Sequence, residues 1–271
     1  MVNGYAPKTL QEALEIRAAQ NVVPYAGGTD VMVQELEGPY LFLNKIDELK
    51  QIVVDDNYIR IGSGVTFTEA IASEAVPQLM KEAISLIAAC AIRNAGTFGG
   101  NLGNGSAKAD SVLIEYVADA KIRLVSVKGE RIVDVDKFYL GRKKLDLGSD
   151  ELIAEVLLPK QGLENYYYEK VGGRNALAIS RVSFAGVFEE KDGKITNVAA
   201  AFGAVADTVL RYPDIEATLI GKTVEEAKAM KADYIKAYAD RMVLTRGRVS
   251  AEYRKTVCMN LLGAFLEKFG I

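Results

Sequence analysis

The chain has 271 residues, of which 49% are hydrophobic and 25% are charged, the balance of an ordinary globular protein with a sizeable core. Its net charge of −3 provides no basic surface for nucleic acid. No apolar run approaches the roughly 20 residues of a membrane span, and the first ten residues lack the basic and apolar regions of a secretory signal. The sequence therefore predicts a cytoplasmic protein with no membrane span.

The residues that are missing narrow the chemistry. The chain has no histidine, which excludes Ser-His-Asp and Cys-His catalysis and the usual general base at neutral pH. Its two cysteines, Cys90 and Cys258, are predicted to be buried small hydrophobes, and two cysteines cannot ligate an iron–sulfur cluster by themselves. The dinucleotide fingerprint G-x-G-x-x-G and the P-loop are both absent. We therefore expect no catalytic residue and no metal site in this chain, and chemistry supplied by a cofactor.

Residues 8–54 are predicted to form a small parallel α/β unit. Thr9 and Glu12 have the spacing of a capping box, which predicts a helix running to Gln20. The pattern then predicts strands at 22–25, 41–43 and 52–54, and a helix over 30–37 that begins directly after a glycine turn.

Residues 58–172 are predicted to form a mixed sheet with helices. Thr66 and Glu69 form a second capping box. Helical apolar spacing covers 76–91, and a small-residue helix is expected over 106–117. The predicted strands are 58–62, 121–127, 130–133, 152–158 and 166–171.

The C-terminal segment is predicted to be an antiparallel sheet with helices. Asp192-Gly193 is a two-residue hairpin signal between strands 182–190 and 194–202. Thr223 and Glu226 cap a helix running to 239, and Ser250 caps a longer one. The predicted class is α+β: a two-lobed cofactor-binding domain at 1–173, with a small α/β lobe at about 1–55 and a mixed-sheet lobe at 56–173, followed by a sheet-plus-helices domain at 174–271.

Two glycine-rich segments, PYAGGTD at 24–30 and IRNAGTFGGNLGNGSAKAD at 92–110, are the most informative features of the chain. Glycine permits positive φ and removes the Cβ that would keep a ligand from the backbone. Consecutive amides can then bind anionic oxygens. Two such segments predict a ligand with a long phosphate-bearing spine, although a plain tight turn and a structural crossover remain the alternatives.

The order of motifs resembles the flavoprotein subunit of the molybdenum hydroxylases, the medium-chain family of xanthine dehydrogenase and carbon monoxide dehydrogenase. The motifs are PYAGGTD, IRNAGTFGGN, Asp110, DELIAEVLLP and YYEKVGGRNALAIS, and the resemblance covers essentially the whole chain. It implies a non-covalently held FAD in the N-terminal domain. It also implies a hetero-oligomer in which an iron–sulfur subunit delivers electrons from a molybdopterin subunit, for transfer to NAD(P) or another acceptor.

The resemblance also implies roles for individual residues. Residues 25–31 would lie along the pyrophosphate, Asp110 would bind ribose or ribityl hydroxyls, and Lys170 would lie near the flavin pyrimidine edge. From the residues alone, Asp110 can also be interpreted as a helix N-terminal charge and Lys170 as a solvated strand lysine. The cofactor-binding residues predicted in this way are Tyr25, Ala26, Gly27, Gly28, Thr29, Asp30, Val31, Ile92, Thr97, Gly99, Gly100, Asn101, Asp110, Leu152, Ile153 and Lys170.

Two departures and two alternatives accompany the resemblance. Gly172-Gly173-Arg174 stands where the family often has paired arginines, and the four-cysteine insert of the benzoyl-CoA reductase branch is missing. One alternative is a self-contained FAD-dependent reductase of the same cofactor-binding superfamily, which would need its own proton donor. The other is a scaffold subunit that has lost its flavin.

Overall fold

The computed structural model describes residues 4–34, 36 and 38–271. Its strands are β1 (Gly4–Tyr5), β2 (Val23–Tyr25), β3 (Tyr40–Phe42), β4 (Ile52–Val54), β5 (Tyr58–Gly62), β6 (Lys121–Ser126), β7 (Gly129–Asp134), β8 (Tyr139–Gly141), β9 (Lys144–Leu145), β10 (Leu152–Pro159), β11 (Tyr166–Val171), β12 (Val182–Lys191), β13 (Lys194–Gly203) and β14 (Leu210–Arg211). Its helices are α1 (Leu10–Ala19), α2 (Val31–Gln34), α3 (Phe67–Ala72), α4 (Gln78–Ser85), α5 (Cys90–Arg93), α6 (Phe98–Gly103), α7 (Asp110–Val117), α8 (Val135–Phe138), α9 (Pro213–Glu216), α10 (Val224–Arg241) and α11 (Ala251–Lys268), with a short 3₁₀ helix at Asp47–Leu49.

The chain divides into two compact units that each combine separate stretches of sequence. Unit 1 contains the described residues up to Val76 together with Ile87–Ser106 and Asp119–Lys160. Unit 2 contains Pro77–Leu86, Ala107–Ala118 and Gln161–Ile271, so helices α4 and α7 belong with the C-terminal sheet. The domain boundary after residue 173, taken from the sequence alone, stays a prediction.

Unit 1 contains the parallel sheet expected near the N-terminus and a second, larger sheet. The first has the order β1-β3-β2, and both of its pairings are parallel. The second has the order β4-β5-β10-β6-β7. We predicted a mixed sheet here, which is wrong in detail because all four pairings are antiparallel. Short turns join β4 to β5 and β6 to β7 in two hairpins. Strand β10 lies between these hairpins and pairs with β5 on one side and β6 on the other.

The core of unit 1 joins both sheets to α1. Leu14 of α1 packs with Leu41 of β3 and with Leu152 of β10, and all three side chains are buried. Thr9 caps α1 as predicted, accepting a hydrogen bond from the Glu12 N–H at 3.2 Å. The predicted capping box does not close, because the Glu12 carboxylate accepts instead from the Lys8 N–H at 2.9 Å.

The glycine-rich stretch and the segments beside it are where the predicted helices differ most from the structure. The helix predicted over 76–91 is broken into α4 and α5, and Ala88 between them has a φ of +45°. The second glycine-rich segment contains a helix, α6, that was not predicted, and the next helix begins at Asp110 rather than at 106. The helix predicted over 30–37 is present as α2 up to Gln34, and the predicted end at Glu37 lies outside the described residues.

Unit 2 is the predicted antiparallel sheet with helices. The sheet order is β11-β12-β13-β14, and the β12–β13 turn at Asp192-Gly193 has positive φ at both residues, as a type I′ hairpin requires. Thr223 and Glu226 form the predicted capping box of α10. The core is rich in aromatic rings from the sheet and from α10 and α11: Phe184, Phe202, Tyr238 and Phe265.

The α+β class predicted from the sequence is confirmed. Cys258 is buried as expected, whereas Cys90 is exposed at the start of α5, so the prediction for that cysteine is wrong. None of the helices that the structure describes combines the length and the apolar character needed to cross a membrane.

Candidate functional site

The first glycine turn connects β2 to α2 in unit 1. Gly28 has a φ of +70°, in the left-handed region that favours glycine. A Cβ at Gly27 would lie 1.7 Å from the carbonyl oxygen of Ala95, and a Cβ at Gly28 would lie 2.0 Å from the Tyr25 hydroxyl. The contact with the Ala95 backbone therefore requires glycine at 27, and the left-handed φ favours glycine at 28, whether or not a ligand is bound.

The backbone of this turn offers three consecutive hydrogen-bond donors. No described residue accepts a hydrogen bond from the N–H of Gly27, Gly28 or Thr29, whereas the Gly28 carbonyl accepts one from Met32 at 3.1 Å. Backbone donors without a protein partner need water or a ligand to satisfy them. Runs of amides in turns of this kind form anion-binding concavities. The turn therefore has the chemistry of a phosphate site.

The second segment uses its backbone differently. Thr97 is the N-cap of α6, and its Oγ1 accepts a hydrogen bond from the Gly100 N–H at 3.0 Å. The Gly99 N–H donates to the Ser63 carbonyl at 2.8 Å, and the Asn101 N–H donates to the Thr97 carbonyl at 2.9 Å. These amides are satisfied within the chain, so this segment contributes space and side chains rather than a run of free backbone donors.

Gly99 and Gly100 differ in why they are glycine. A Cβ at Gly99 would lie 2.5 Å from the Ser63 Cβ, so packing excludes a larger residue there. A Cβ at Gly100 would meet only the Thr97 Oγ1 among the described residues beyond its own helix backbone, at 3.1 Å. Gly100 also lines a cavity, described next. The missing side chain at Gly100 therefore keeps that cavity open.

Both glycine segments line one cavity of about 430 Å³ within unit 1. This volume lies in the range of small-molecule sites. One part of the lining is apolar, with Val23, Pro24, Leu43, Leu49 and Leu147. Of the residues predicted from the sequence, the cavity brings together Ala26, Gly27, Gly28, Thr29, Asp30, Val31, Thr97, Gly99, Gly100, Asn101, Leu152 and Ile153.

Four predicted residues do not line this cavity. Tyr25 packs its ring edge-on against Tyr40 and Phe42, with centroids 5.5 and 5.1 Å away. Ile92 is 41% exposed on α5. The other two, Asp110 and Lys170, belong to unit 2.

Asp110 and Lys170 contact each other. The Lys170 ammonium lies 2.8 Å from the Asp110 carboxylate and donates a second hydrogen bond, also of 2.8 Å, to the Leu86 carbonyl. The Ser180 hydroxyl donates to the other Asp110 oxygen at 2.9 Å. Burial raises the pKa of Asp110, and Lys170 opposes that rise. Lys170 is thus a buried ion-pair partner rather than a solvated strand lysine, and the flavin roles of both residues stay predictions.

Sequence reasoning missed a polar cluster at the cavity, centred on Asn104. The side-chain amide of Asn104 donates a hydrogen bond to the Asp30 carboxylate at 2.7 Å, and its side-chain oxygen accepts one from the Gln34 amide at 2.9 Å. The main-chain carbonyl of Asn104 accepts a hydrogen bond from the Lys143 ammonium at 2.5 Å. All four residues line the cavity, as does Arg17, whose pKa is lowered by burial. Asn104 lies in the second glycine-rich segment, so the sequence could have indicated it as a cofactor-site residue. Lys143 carries no sequence signal, because it comes from the β8–β9 hairpin.

Comparison with known proteins gives the class of this chain, a flavoprotein. A family model described as the FAD-binding domain in molybdopterin dehydrogenase matches residues 1–161, and one described as the CO dehydrogenase flavoprotein C-terminal domain matches residues 166–269. The xanthine dehydrogenase FAD-binding subunit of Escherichia coli O157:H7 is 33% identical over 205 residues, which cover 71% of this chain and 70% of that protein. The nicotinate dehydrogenase FAD-subunit of Eubacterium barkeri is 29% identical over 93% of this chain and 90% of its own.

The solved structures agree with the sequence relatives. Carbon monoxide dehydrogenase from Hydrogenophaga pseudoflava contains a chain that superposes with a TM-score of 0.89 at 25% identity, covering 98% of this chain and 97% of that one. The chain therefore belongs to the family of FAD-binding subunits of molybdenum hydroxylases, as the motif order indicated, and is an FAD-dependent oxidoreductase subunit.

The cavity of unit 1 fits the cofactor that the family implies. Three adjacent amides without a described protein acceptor suit an anionic group, the bare backbone at Gly100 leaves room beside them, and the apolar lining suits a flat ring. The structure thus offers FAD a polar and an apolar surface within one cavity.

Proposed function

We propose that the unit 1 cavity binds FAD with the pyrophosphate along the turn at 25–31, and that the chain carries electrons between two partners. It would accept them from iron–sulfur clusters on a partner chain and pass them to NAD(P) or another acceptor. When bound, FAD supplies the chemistry that links one-electron donors to two-electron acceptors. The predicted roles of Asp110 and Lys170 towards the ribityl chain and the flavin ring belong to this proposal.

One observation carries the cofactor assignment. The N–H groups of Gly27, Gly28 and Thr29 are adjacent, belong to cavity-lining residues and donate to no described acceptor. An ordinary strand-to-helix turn needs Gly28 for its φ but does not need three donors left without acceptors beside a cavity. A pyrophosphate bound there would satisfy all three.

The side chains that would touch FAD position it rather than react with it. Leu152 and Ile153 of β10 give the cavity an apolar wall, and Thr97 holds the start of α6 beside it. The chain contains no histidine, and an electron carrier of this kind needs no acid or base from the protein. Substrate oxidation would take place on another chain.

The partners follow from what this chain lacks and from its relatives. Two cysteines cannot hold an iron–sulfur cluster, so clusters must come from a separate subunit. The relatives are named as FAD-binding, medium or beta subunits of dehydrogenases, names that place them in multi-subunit enzymes. We propose an iron–sulfur subunit and a molybdopterin subunit as partners. A cytoplasmic location stays a prediction.

Gly100→Val tests the cofactor site. The valine side chain would extend into the cavity while meeting little of the chain itself, so we expect FAD content to fall at least about tenfold, a free-energy change of roughly 1.4 kcal/mol or more. Gly263→Val is the matched control, because Gly263 also lies in a helix and its Cβ would meet nothing closer than the Ile235 side chain at 3.8 Å. The measurement is the ratio of flavin to protein after gel filtration. Normal flavin content in Gly100→Val would refute the site.

Isolation of the tagged chain from its native source tests the partners. We expect it to recover molybdenum, iron and two further polypeptides in fixed ratio, measured by native mass spectrometry and metal analysis. A yellow, metal-free chain that turns over substrate alone would favour the self-contained reductase. A colourless chain inside a metal-containing complex would favour the scaffold subunit. Electron delivery to NAD⁺ or NADP⁺ is then measured on the intact complex.

A further inference from the structure

Lys143 is a cation of the cavity wall that forms no ion pair with any described carboxylate. Its ammonium contacts the main-chain and side-chain oxygens of Asn104, which are neutral groups. No described carboxylate lies within 4 Å of it, although other lysines on the same unit, such as Lys121 and Lys128, form ion pairs at 2.5 and 2.7 Å. Burial lowers the pKa of Lys143, opposed by the nearby Asp30. An ammonium held only by neutral oxygens would be stabilised further by an anion, and no described carboxylate contacts it.

The backbone of Lys143, as well as its ammonium, holds the β8–β9 hairpin against the residues that follow α6. The Lys143 N–H donates to the Gly105 carbonyl at 3.2 Å, and a Cβ at Gly105 would lie 3.1 Å from the Lys143 Cα. Lys143 also has a φ of +58°, a conformation that glycine or asparagine adopts more easily than lysine. A turn needed only for its shape would not favour lysine at this position. The side chain itself therefore calls for an explanation.

The ammonium is linked through Asn104 to the first glycine turn, and both line the same cavity. Asn104, which holds Lys143, also donates to the Asp30 carboxylate at 2.7 Å, and Asp30 directly follows Thr29 in the chain. Asn104 and Asp30 therefore link the cation to the end of the three-amide run, and these residues all line one cavity. Amide dipoles bind an anion without neutralising it, and a pyrophosphate diester carries two negative charges.

We propose that Lys143 is the charge-neutralising contact for the pyrophosphate of FAD, and that its ammonium exchanges the Asn104 oxygens for a phosphate oxygen when FAD binds. The inference rests on the proposed FAD site and adds to it a residue from outside both glycine segments. It explains a lysine in a left-handed turn beside the cavity. It also gives the hairpin a role in cofactor retention.

The test compares the affinities of FAD and riboflavin for the full chain after removal of flavin. Lys143→Met keeps most of the aliphatic stem and removes the charge, so we expect the Kd for FAD to rise about 10- to 100-fold, the range for a hydrogen bond to a charged group. The Kd for riboflavin, which has no phosphate, should stay within about twofold. Lys143→Arg keeps the charge and should retain most of the FAD affinity.

Lys144→Met is the matched control, because Lys144 is the next residue and is exposed like Lys143, but does not line the cavity. It should leave both affinities unchanged. Binding is followed by quenching of flavin fluorescence at several salt concentrations, and the salt dependence of FAD binding should be weaker in Lys143→Met than in the wild type.

Three results would overturn the proposal. These are an unchanged Kd for FAD in Lys143→Met, an equal loss of FAD and riboflavin binding, and an equal effect of Lys144→Met. Failure of the proposed function looks different, because the wild-type chain would then not bind FAD or Gly100→Val would still bind it normally. If the wild type binds FAD and Gly100→Val does not, a normal affinity in Lys143→Met refutes only the role of Lys143.

Discussion

Glu115 should make the stability of this protein strongly dependent on pH. Its side chain is fully buried on α7, which packs against α4, β12 and β13 in unit 2. Burial raises the pKa of the Glu115 carboxyl from 4.5 to about 8, against the smaller opposing effect of the nearby Ser111 hydroxyl. At neutral pH the carboxyl is therefore protonated in the folded chain and ionised in the unfolded chain.

The sign and size of the effect follow from that difference. A carboxyl whose folded pKa is raised favours the folded state fully below its ordinary pKa, and this contribution is lost as the pH rises through the folded pKa. For values of 4.5 and about 8, the total loss above pH 8 is about 5 kcal/mol, since each pKa unit is worth roughly 1.4 kcal/mol. Between pH 6 and pH 8 the same relation gives a loss of about 2 kcal/mol.

The assay is urea unfolding at pH 6 and pH 8 of the wild type, Glu115→Gln and the exposed control Glu225→Gln. The absence of histidine is an advantage, because no side chain with an ordinary pKa near 6.5 titrates between the two measurements. Glu115→Gln removes the group that titrates. Between pH 6 and pH 8, the free energy of unfolding should therefore decrease by about 2 kcal/mol less in Glu115→Gln than in the wild type. Any cost of burying the glutamine amide is the same at both pH values and cancels. An identical fall in wild type and Glu115→Gln would refute the reasoning.

Two further predictions test the packing, one in each unit. Lys170→Met leaves the buried Asp110 carboxylate and the Leu86 carbonyl without their cation, so the free energy of unfolding should fall by about 3–5 kcal/mol at pH 7. A fall under about 1 kcal/mol in urea unfolding would contradict the ion pair. Gly27→Ala places a Cβ 1.7 Å from the Ala95 carbonyl, so the apoprotein should melt several degrees below the wild type whereas Gly100→Ala should not, as differential scanning fluorimetry of the flavin-free proteins can show. Equal melting temperatures for the two glycine variants would contradict the distinction drawn between them.

Elements governed by neighbouring residues were predictable from the sequence. The hairpin at Asp192-Gly193, the capping boxes at Thr66 and Thr223, and the strand bounds 58–62 and 166–171 all appear as expected. Each depends on side chains within a few positions along the chain. The break of the 76–91 helix was not predictable in this way, since the apolar spacing continues through Ala88 although that residue has a φ of +45°.

The same contrast holds for the site. Twelve of the sixteen predicted cofactor-binding residues line one cavity, because glycine-rich segments can be read locally and the motif order narrowed their roles. Lys143 could not be found, because its place at the cavity depends on a hairpin that packs against the end of α6 about 40 positions earlier in the chain. The pairing of Asp110 with Lys170 joins residues that are 60 positions apart, and no local pattern records it.

The glycines themselves show how far a glycine-rich motif is an argument for a ligand. Gly27 and Gly99 are required because a Cβ would strike Ala95 or Ser63, and Gly28 is favoured by its φ of +70°, and these requirements hold in the empty protein. Their presence alone therefore says little about FAD. Two observations do bear on a ligand. A Cβ at Gly100 would meet only the Thr97 Oγ1 among the described residues outside its own helix backbone, at 3.1 Å, beside a cavity, and the amides at 27–29 have no described acceptor. Substituting Gly100 thus probes cofactor binding, whereas substituting Gly27 probes folding. A glycine scan of this motif that does not separate the two effects would mistake a loss of stability for a loss of FAD binding.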